Sequence, residues 1–387
     1  MYLHCTKKLI DELKLNKEDL VDFKDDINGE GNIFSWHANI ILINRRKAIV
    51  FVNDYSKYAF MLYGVKAKEL KNIKELFFDS LRRRLKDDCY KEEYIDKYIE
   101  MLGDIKFAKS GSRCYIGRLN KVSDAVFASL DFIDESILFQ SLVSKHISRD
   151  FVKLDDGHKY EPVKKLNATA IYALLNDDGE YNKVFAYEVY QLFIQIKLAT
   201  HYVYRTVVVP SSLTFEQLHE IIQIIFDWHD SHLHRFFILS NEKDNDLCNT
   251  YGRPLDAIII SQYEELYNEM DGDYNILDER FVRLKDFFEY YKTIGYRYDY
   301  GDNWEHNIVL EKTYMSEEEI DVELLDKHGT RPLEDVGGQS GYEEYLSIIN
   351  DKNNPECESY LEWGEGQGQR DLSIADINYY LKKFNSF

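Results

Sequence analysis

The chain has 387 residues, 44% apolar, 14% aromatic and 30% charged, with a net charge of −21. That composition describes a folded chain of two or three domains and excludes wholesale disorder, while five Pro and 19 Gly exclude a fibrous or low-complexity protein. No apolar run nears the roughly 18 residues a membrane helix needs, so no membrane association is expected. The opening residues lack the apolar stretch of a signal peptide, and the five cysteines (Cys5, Cys89, Cys114, Cys248, Cys357) are scattered with no CxxC pair. A reducing, cytoplasmic setting without a cysteine-built zinc site is the expectation.

Charge is divided unevenly. Residues 1–185 carry 31 Lys and Arg against 30 Asp and Glu, whereas residues 186–387 carry 17 against 39. The second half therefore holds the whole acidic excess and repels phosphate backbones, which argues against nucleic-acid binding there. In the first half, Arg45-Arg46-Lys47 and Arg82-Arg83-Arg84-Leu85-Lys86 are local basic clusters. They read either as solvated faces or as a modest nucleic-acid patch.

The first elements suggest a compact α+β unit over residues 1–134. Ile40–Asn44 and Ala48–Asn53 are β-rich runs joined as a hairpin, with Tyr58–Tyr63 as a third strand. Lys66–Leu85 and Glu92–Met101 show helical spacing of apolar residues. Arg113–Ile116 suggests a strand and Asn120–Leu130 a helix. Residues 135–185 read as a connector, with turn signals at 155–157 and 176–179 around one short helix, Ala168–Leu175. A second domain, 186–387, opens with strands Tyr190–Lys197 and Tyr202–Val209. Ser211, Ser212 or Thr214 then caps a helix over Phe215–Phe226. His234–Leu239 is a strand candidate and Val282–Tyr290 helical. Tyr296–Tyr300 and Trp304–Leu310 form a hairpin around Gly301-Asp302-Asn303. Tyr342–Ile349 and Ile374–Phe384 are helices. The expected fold class is α+β, two mixed layers, each a mainly antiparallel sheet with packed helices.

Three segments of the second half combine polar residues with large aromatics: Trp228 to Phe236 with His232-Leu233-His234, Tyr298-Asp299-Tyr300-Gly301-Asp302-Asn303-Trp304-Glu305-His306, and Glu334-Asp335-Val336-Gly337-Gly338 through Gly341-Tyr342. In this order they resemble the plasmid pRiA4b ORF-3-like family, also known as TnpR-type passenger proteins of insertion elements, over about residues 186–370. Many members carry a cysteine pair before the acidic-glycine turn; Glu323–Thr330 here has none, so a thiol-based metal site is not implied. The first half is similar to a bacterial domain of unknown function, through Leu3-His4-Cys5-Thr6-Lys7-Lys8-Leu9, Trp36-His37-Ala38-Asn39 and Arg118-Leu119-Asn120. The resemblances imply association with mobile elements and no defined chemistry.

The candidate metal ligands are His232, His234, Asp299, Asp302 and His306, a mixture of imidazole and carboxylate that suits zinc or manganese. On one strand, His232 and His234 would face the same side. A hairpin turning at Asp302-Asn303 would set Asp299 across from His306; a turn at Gly301-Asp302 would pair Asp299 with Trp304. The same histidines also read as hydrogen-bonded structural groups, and Asp302 as a turn former. Trp228, Tyr298, Trp304 and Arg297 are candidate ligand-binding residues, and Glu334 or Asp335 a candidate catalytic base. The glycines at 337, 338 and 341 read as a helix cap flanked by carboxylates, which oppose phosphate. The leading expectation is a mobile-element-associated accessory protein binding a protein or small molecule in an aromatic, histidine and aspartate cleft. A divalent-metal hydrolase of the phosphodiesterase or nuclease class is the alternative. Nucleic-acid binding through the N-terminal basic clusters is a second.

Overall fold

A computed structural model describes residues 1–22, 32–111, 113–148, 151–153, 160–175, 181–239, 255–261, 275–368, 370 and 372–384. Cys248 and the turn signals at 155–157 and 176–179 lie outside them. The chain forms two compact units, Met1–Ala186 and Tyr187–Phe387.

The first unit runs β1 (Tyr2–Cys5), α1 (Lys7–Leu13), β2 (Leu20–Val21), β3 (Ser35–Ile43), β4 (Arg46–Asn53), β5 (Ala59–Tyr63), α2 (Ala67–Lys71), α3 (Ile73–Asp87), α4 (Glu92–Leu102), β6 (Lys106–Lys109), α5 (Arg113–Phe127), α6 (Ser141–His146), β7 (Phe151–Lys153), β8 (Tyr160–Pro162) and α7 (Val163–Leu175). Its main sheet has the order β2-β6-β1-β3-β4-β5. The pairings β2–β6, β6–β1 and β1–β3 are parallel, so this sheet is mixed where a mainly antiparallel one was expected. The β3–β4 hairpin closes through Asn44 and Arg45 at φ 48° and 63°, the left-handed pair that matches strand twist. Arg113–Ile116, expected as a strand, opens α5 instead. The buried residues Tyr115, Leu119, Ser123 and Val126 recur at helical spacing, and that long period prevails over the local β-propensity. The connector segment contributes α6 and α7, and Ser144 and Ser148 accept hydrogen bonds from the Met61 and Ala59 amides of β5.

Five of the seven basic residues in the two clusters pair with carboxylates within this unit. Arg84 is buried against Asp88 at 2.6 Å, Arg82 meets Glu92 and Asp96, and Lys86 meets Glu92. Arg46 and Lys47 pair with Glu135 and Glu12.

The second unit runs β9 (Tyr187–Ile196), β10 (Val203–Pro210), α8 (Phe215–Phe226), β11 (His234–Leu239), β12 (Leu255–Ile260), β13 (Asn275–Asp278), α9 (Lys285–Phe288), β14 (Thr293–Tyr298), β15 (Trp304–Ser316), β16 (Glu323–His328), α10 (Gly338–Asn350), α11 (Cys357–Gly366) and α12 (Ile374–Leu381). The sheet order is β13-β12-β11-β14-β15-β9-β10-β16, antiparallel except for β12–β13. Thr214 caps α8 in a reciprocal box with Gln217. The helix then buries Leu218, Ile221, Ile222 and Ile225 against Ile194, Phe236, Ile294 and Ile308. Burial of such side chains stabilises the layer by about 1.5–3 kcal/mol each. Among the described residues no helix is long and apolar enough to cross a membrane.

Candidate functional site

The β14–β15 register pairs Tyr298 with Trp304 and Tyr296 with His306, so the loop spans Asp299 to Asn303. Neither of the two tight turns weighed from the sequence forms. Asp299 takes the left-handed conformation at φ 59°, donates its amide to the Leu233 carbonyl and accepts from the Asn303 amide at its own carbonyl. One carboxylate oxygen accepts from the Gly301 amide at 2.8 Å; the other points toward His232.

His232 lies just before β11, not within it, so the two-residue alternation of a strand does not apply to it and His234 turns elsewhere. Its Nε2 is buried and makes no hydrogen bond, yet Asp335, Glu334 and Asp299 bring carboxylate oxygens to 3.3, 3.4 and 3.7 Å. Ligand atoms of His232, Asp299 and Asp335 all lie within 4.8 Å of one another. Atoms bound at 2.0–2.2 Å by a tetrahedral ion stand ~3.3–3.6 Å apart. The distances from His232 Nε2 to the three carboxylate oxygens lie close to that separation, within a group whose ligand atoms spread over up to 4.8 Å.

Glu334 and Asp335 reach this point through the glycine turn. Gly337 and Gly338 have φ of 90° and 67°, and the Gly337 amide donates to the Asp302 carboxylate at 3.2 Å. A Cβ on Gly338 would stand 2.6 Å from the Asp302 carbonyl oxygen. The glycines thus let the turn touch the 299–303 loop, and Asp302, expected as a ligand, is the clasp between them. Glu334 is buried, accepting from the His229 amide at 2.8 Å and from the Tyr298 hydroxyl at 3.3 Å. Burial, and then the charge of Glu334, raise the Tyr298 phenol, so it stays protonated and donates.

The remaining expected residues take other places. His234 Nε2 meets Glu279 at 2.7 Å, behind the ligand group. His306 is fully buried between Phe226 and Tyr296, its Nδ1 donating to the Trp304 carbonyl; burial pushes it down to about 3. A neutral core imidazole in that position is structural. Trp228, Tyr298 and Trp304 pack together as a buried wall behind the site, with Trp228 and Tyr298 centroids 5.3 Å apart and the Trp228 and Trp304 centroids 6.0 Å apart. Arg297 points to the opposite face of β14, bound to Glu305 at 2.7 Å and lying over Phe237. The aromatic cleft expected from sequence is therefore a packed support with the acid and imidazole groups at its edge.

Sequence reasoning missed a second histidine centre. His219 of α8 accepts or donates at Nδ1 with the Tyr296 hydroxyl and at Nε2 with Asp230, both at 2.8 Å. Burial lowers its pKa, with Asp230 opposing. Its polar place on an otherwise apolar helix face was the available signal.

Residues 188–380 match the family described as plasmid pRiA4b ORF-3-like protein, and residues 2–164 match a domain of unknown function, DUF6933. An uncharacterised protein, y4hQ, from Sinorhizobium fredii strain NBRC 101917 / NGR234 is 30% identical over 183 residues, spanning 46% of this chain and 79% of that protein. A crystal structure of a protein of unknown function, MM3350, from Methanosarcina mazei Go1 shares 31% identity over 46% of this chain and 89% of its own, with a TM-score of 0.38.

Proposed function

The chain belongs to the plasmid pRiA4b ORF-3-like family, and we propose that its family domain is a divalent-cation-binding accessory module. His232, Asp299 and Asp335 hold the ion, with Glu334 completing the negative environment. The observation that carries this reading is the unbonded His232 Nε2 facing three carboxylates at 3.3–3.7 Å. Two of those carboxylates, Asp299 and Glu334, are buried, and so much buried negative charge around one imidazole calls for a cation. Imidazole plus carboxylate favours zinc or manganese over calcium. The family's plasmid-borne namesake supports a role linked to mobile elements, with a protein or small-molecule partner meeting the ion at the surface.

The hydrolytic reading is favoured by one observation. The Asp335 side chain is 66% exposed, so an ion held there faces solvent and keeps a position for water. With Asp335 among the ligands, Glu334, which accepts from the His229 amide and Tyr298, is the neighbouring carboxylate left to serve as base.

Metal analysis of protein purified without a histidine tag tests the module. Stoichiometric zinc or manganese in the wild type, lost in His232→Ala, supports it. A metal-free protein whose melting is unchanged by added zinc, added manganese or chelator overturns it. Turnover of bis(4-nitrophenyl) phosphate by the metal-loaded protein, absent in His232→Ala, would make the module a hydrolase.

A further inference from the structure

The second unit contains a cavity of about 420 Å³ whose charged lining is Arg205, Lys327, Arg331 and Arg370 with Asp227, and whose apolar lining includes Phe226, Leu372 and Ile377. Among the described residues that is four cations to one carboxylate, inside a unit that carries 17 basic against 39 acidic side chains over residues 186–387. Concentrating cations in one concavity of so acidic a unit runs against the composition and so asks for a reason.

Arg205 gives the sharpest one. It is 5% exposed on β10, and its Nε donates to the Ile225 carbonyl at 2.7 Å. Its Nη1 donates to the carbonyls of Tyr204, His328 and Gly329 at 2.7, 3.0 and 3.2 Å. These partners are dipoles, with no carboxylate among them, and the guanidinium lies over the Phe226 ring at 4.7 Å. Burial lowers its pKa, to about 10. Asp227, the one acid of the lining, is already held by the fork of Arg370. Arg331 donates to the Asp227 and Pro332 carbonyls and lies over the Trp228 ring. A buried full charge met only by dipoles keeps much of its desolvation penalty, which a bound counter-ion removes.

We propose that this cavity is an oxyanion-binding site for a small organic anion, whose carboxylate or phosphate group meets Arg205 and whose apolar part lies on Phe226, Leu372 and Ile377. The volume falls within the range of small-molecule sites, roughly 300–1,000 Å³. The planar fork of arginine suits both headgroups, so the chemistry shared by them is what the site selects. The proposal does not rest on the cation group, although Arg331 of the lining also feels the charge of Glu334.

Calorimetric titration of the full chain at low ionic strength, with chelator present, tests the proposal using inorganic phosphate, phenyl phosphate and benzoate. Benzyl alcohol serves as the neutral control. Phenyl phosphate or benzoate binds at millimolar concentration or below, and the tighter of the two identifies the headgroup. Arg370→Ala, which frees Asp227 to repel the anion, weakens binding at least about tenfold. Arg205→Met abolishes it in protein shown to be folded by circular dichroism, and His232→Ala leaves it unchanged. Absence of binding by all three anions overturns the proposal. So does binding that survives both arginine variants, or binding lost in His232→Ala.

Discussion

His219 and His234 lie face to face, their ring centroids 3.3 Å apart and their planes within 4° of parallel. Each has a carboxylate, Asp230 for His219 and Glu279 for His234. Burial lowers the pKa of His219, with Asp230 opposing and the neighbouring His234 adding to the lowering. The stack also fixes the segment that carries His232. Asp230 donates its amide to Gln223, and Ser231 donates its amide to the Tyr298 hydroxyl. The two centres are therefore mechanically joined while their chemistry is separate.

That separation gives a test by substitution. His234→Ala leaves Glu279 buried without its partner and lowers unfolding free energy by about 1–3 kcal/mol, with metal content unchanged. His232→Ala, by contrast, removes the metal. Because it relieves the ligand group of an unbonded imidazole, it changes the stability of the chelated protein little. Denaturant titration and elemental analysis of the same preparations read both effects.

The buried imidazole of His306 makes stability depend on pH. Its folded-state pKa of about 3 lies below the ordinary 6.5, so between those values the unfolded chain takes a proton that the native one refuses. The unfolded state then binds more protons, and stability falls as pH falls, by up to ~1.4 kcal/mol per pH unit below 6.5. His219, also lowered by burial, adds in the same direction. His306→Phe keeps a ring in the space between Phe226 and Tyr296 without a titrating group. Its unfolding free energy, measured at pH 7 and pH 5, drops less than that of the wild type. An equal drop in both proteins would contradict the assignment.

Gly338 determines whether the two acid-bearing loops meet. Alanine there faces both a φ of +67° and a Cβ 2.6 Å from the Asp302 carbonyl oxygen. Gly338→Ala is expected to destabilise by about 1–3 kcal/mol and to weaken metal binding, because Glu334 and Asp335 move relative to Asp299. Retained metal affinity measured by competition with a chromogenic chelator would show that the clasp does not position the ligands.

In the first unit the Arg84–Asp88 pair is buried at 2.6 Å, and the Tyr58 hydroxyl donates to the same aspartate at 2.8 Å. Burial pushes the Asp88 carboxyl up, but the Arg84 guanidinium outweighs it and holds it below the usual range. Arg84→Met strands that charge and costs about 3–5 kcal/mol, while Arg84→Met with Asp88→Leu recovers most of the loss. Equal destabilisation by the single and double variants, read from denaturant midpoints, would argue against a desolvated pair.

The helix Phe215–Phe226 and the strand His234–Leu239 were legible to the residue, because capping by Thr214 and an apolar period are local properties. The order of the three polar-aromatic segments was equally legible, and it carried the family. Arg113–Ile116 was misread because a four-residue window cannot separate the start of a helix from a short strand. Asp299 could be named as a candidate ligand from its motif, as could His232 among three histidines of equal standing, whereas Glu334 and Asp335 were named from theirs only as candidate bases.

Their grouping could not be read, since the contacts that create it span long stretches of chain. Asp299 comes to His232 from 67 positions away and Glu334 from 102, through a five-residue loop and a glycine turn whose left-handed residues set the geometry. Side-chain type is a property of sequence, but the face on which a side chain emerges depends on register and loop length. A shift of two residues would send His232 to the place His234 occupies, and a shift of one would turn it to the opposite face. Composition and pattern thus determined the layers, their helices and the donors available. Packing of α8 under the sheet and close approach of backbone at Gly338 decided which imidazole stayed facing the carboxylates and which two became part of the interior.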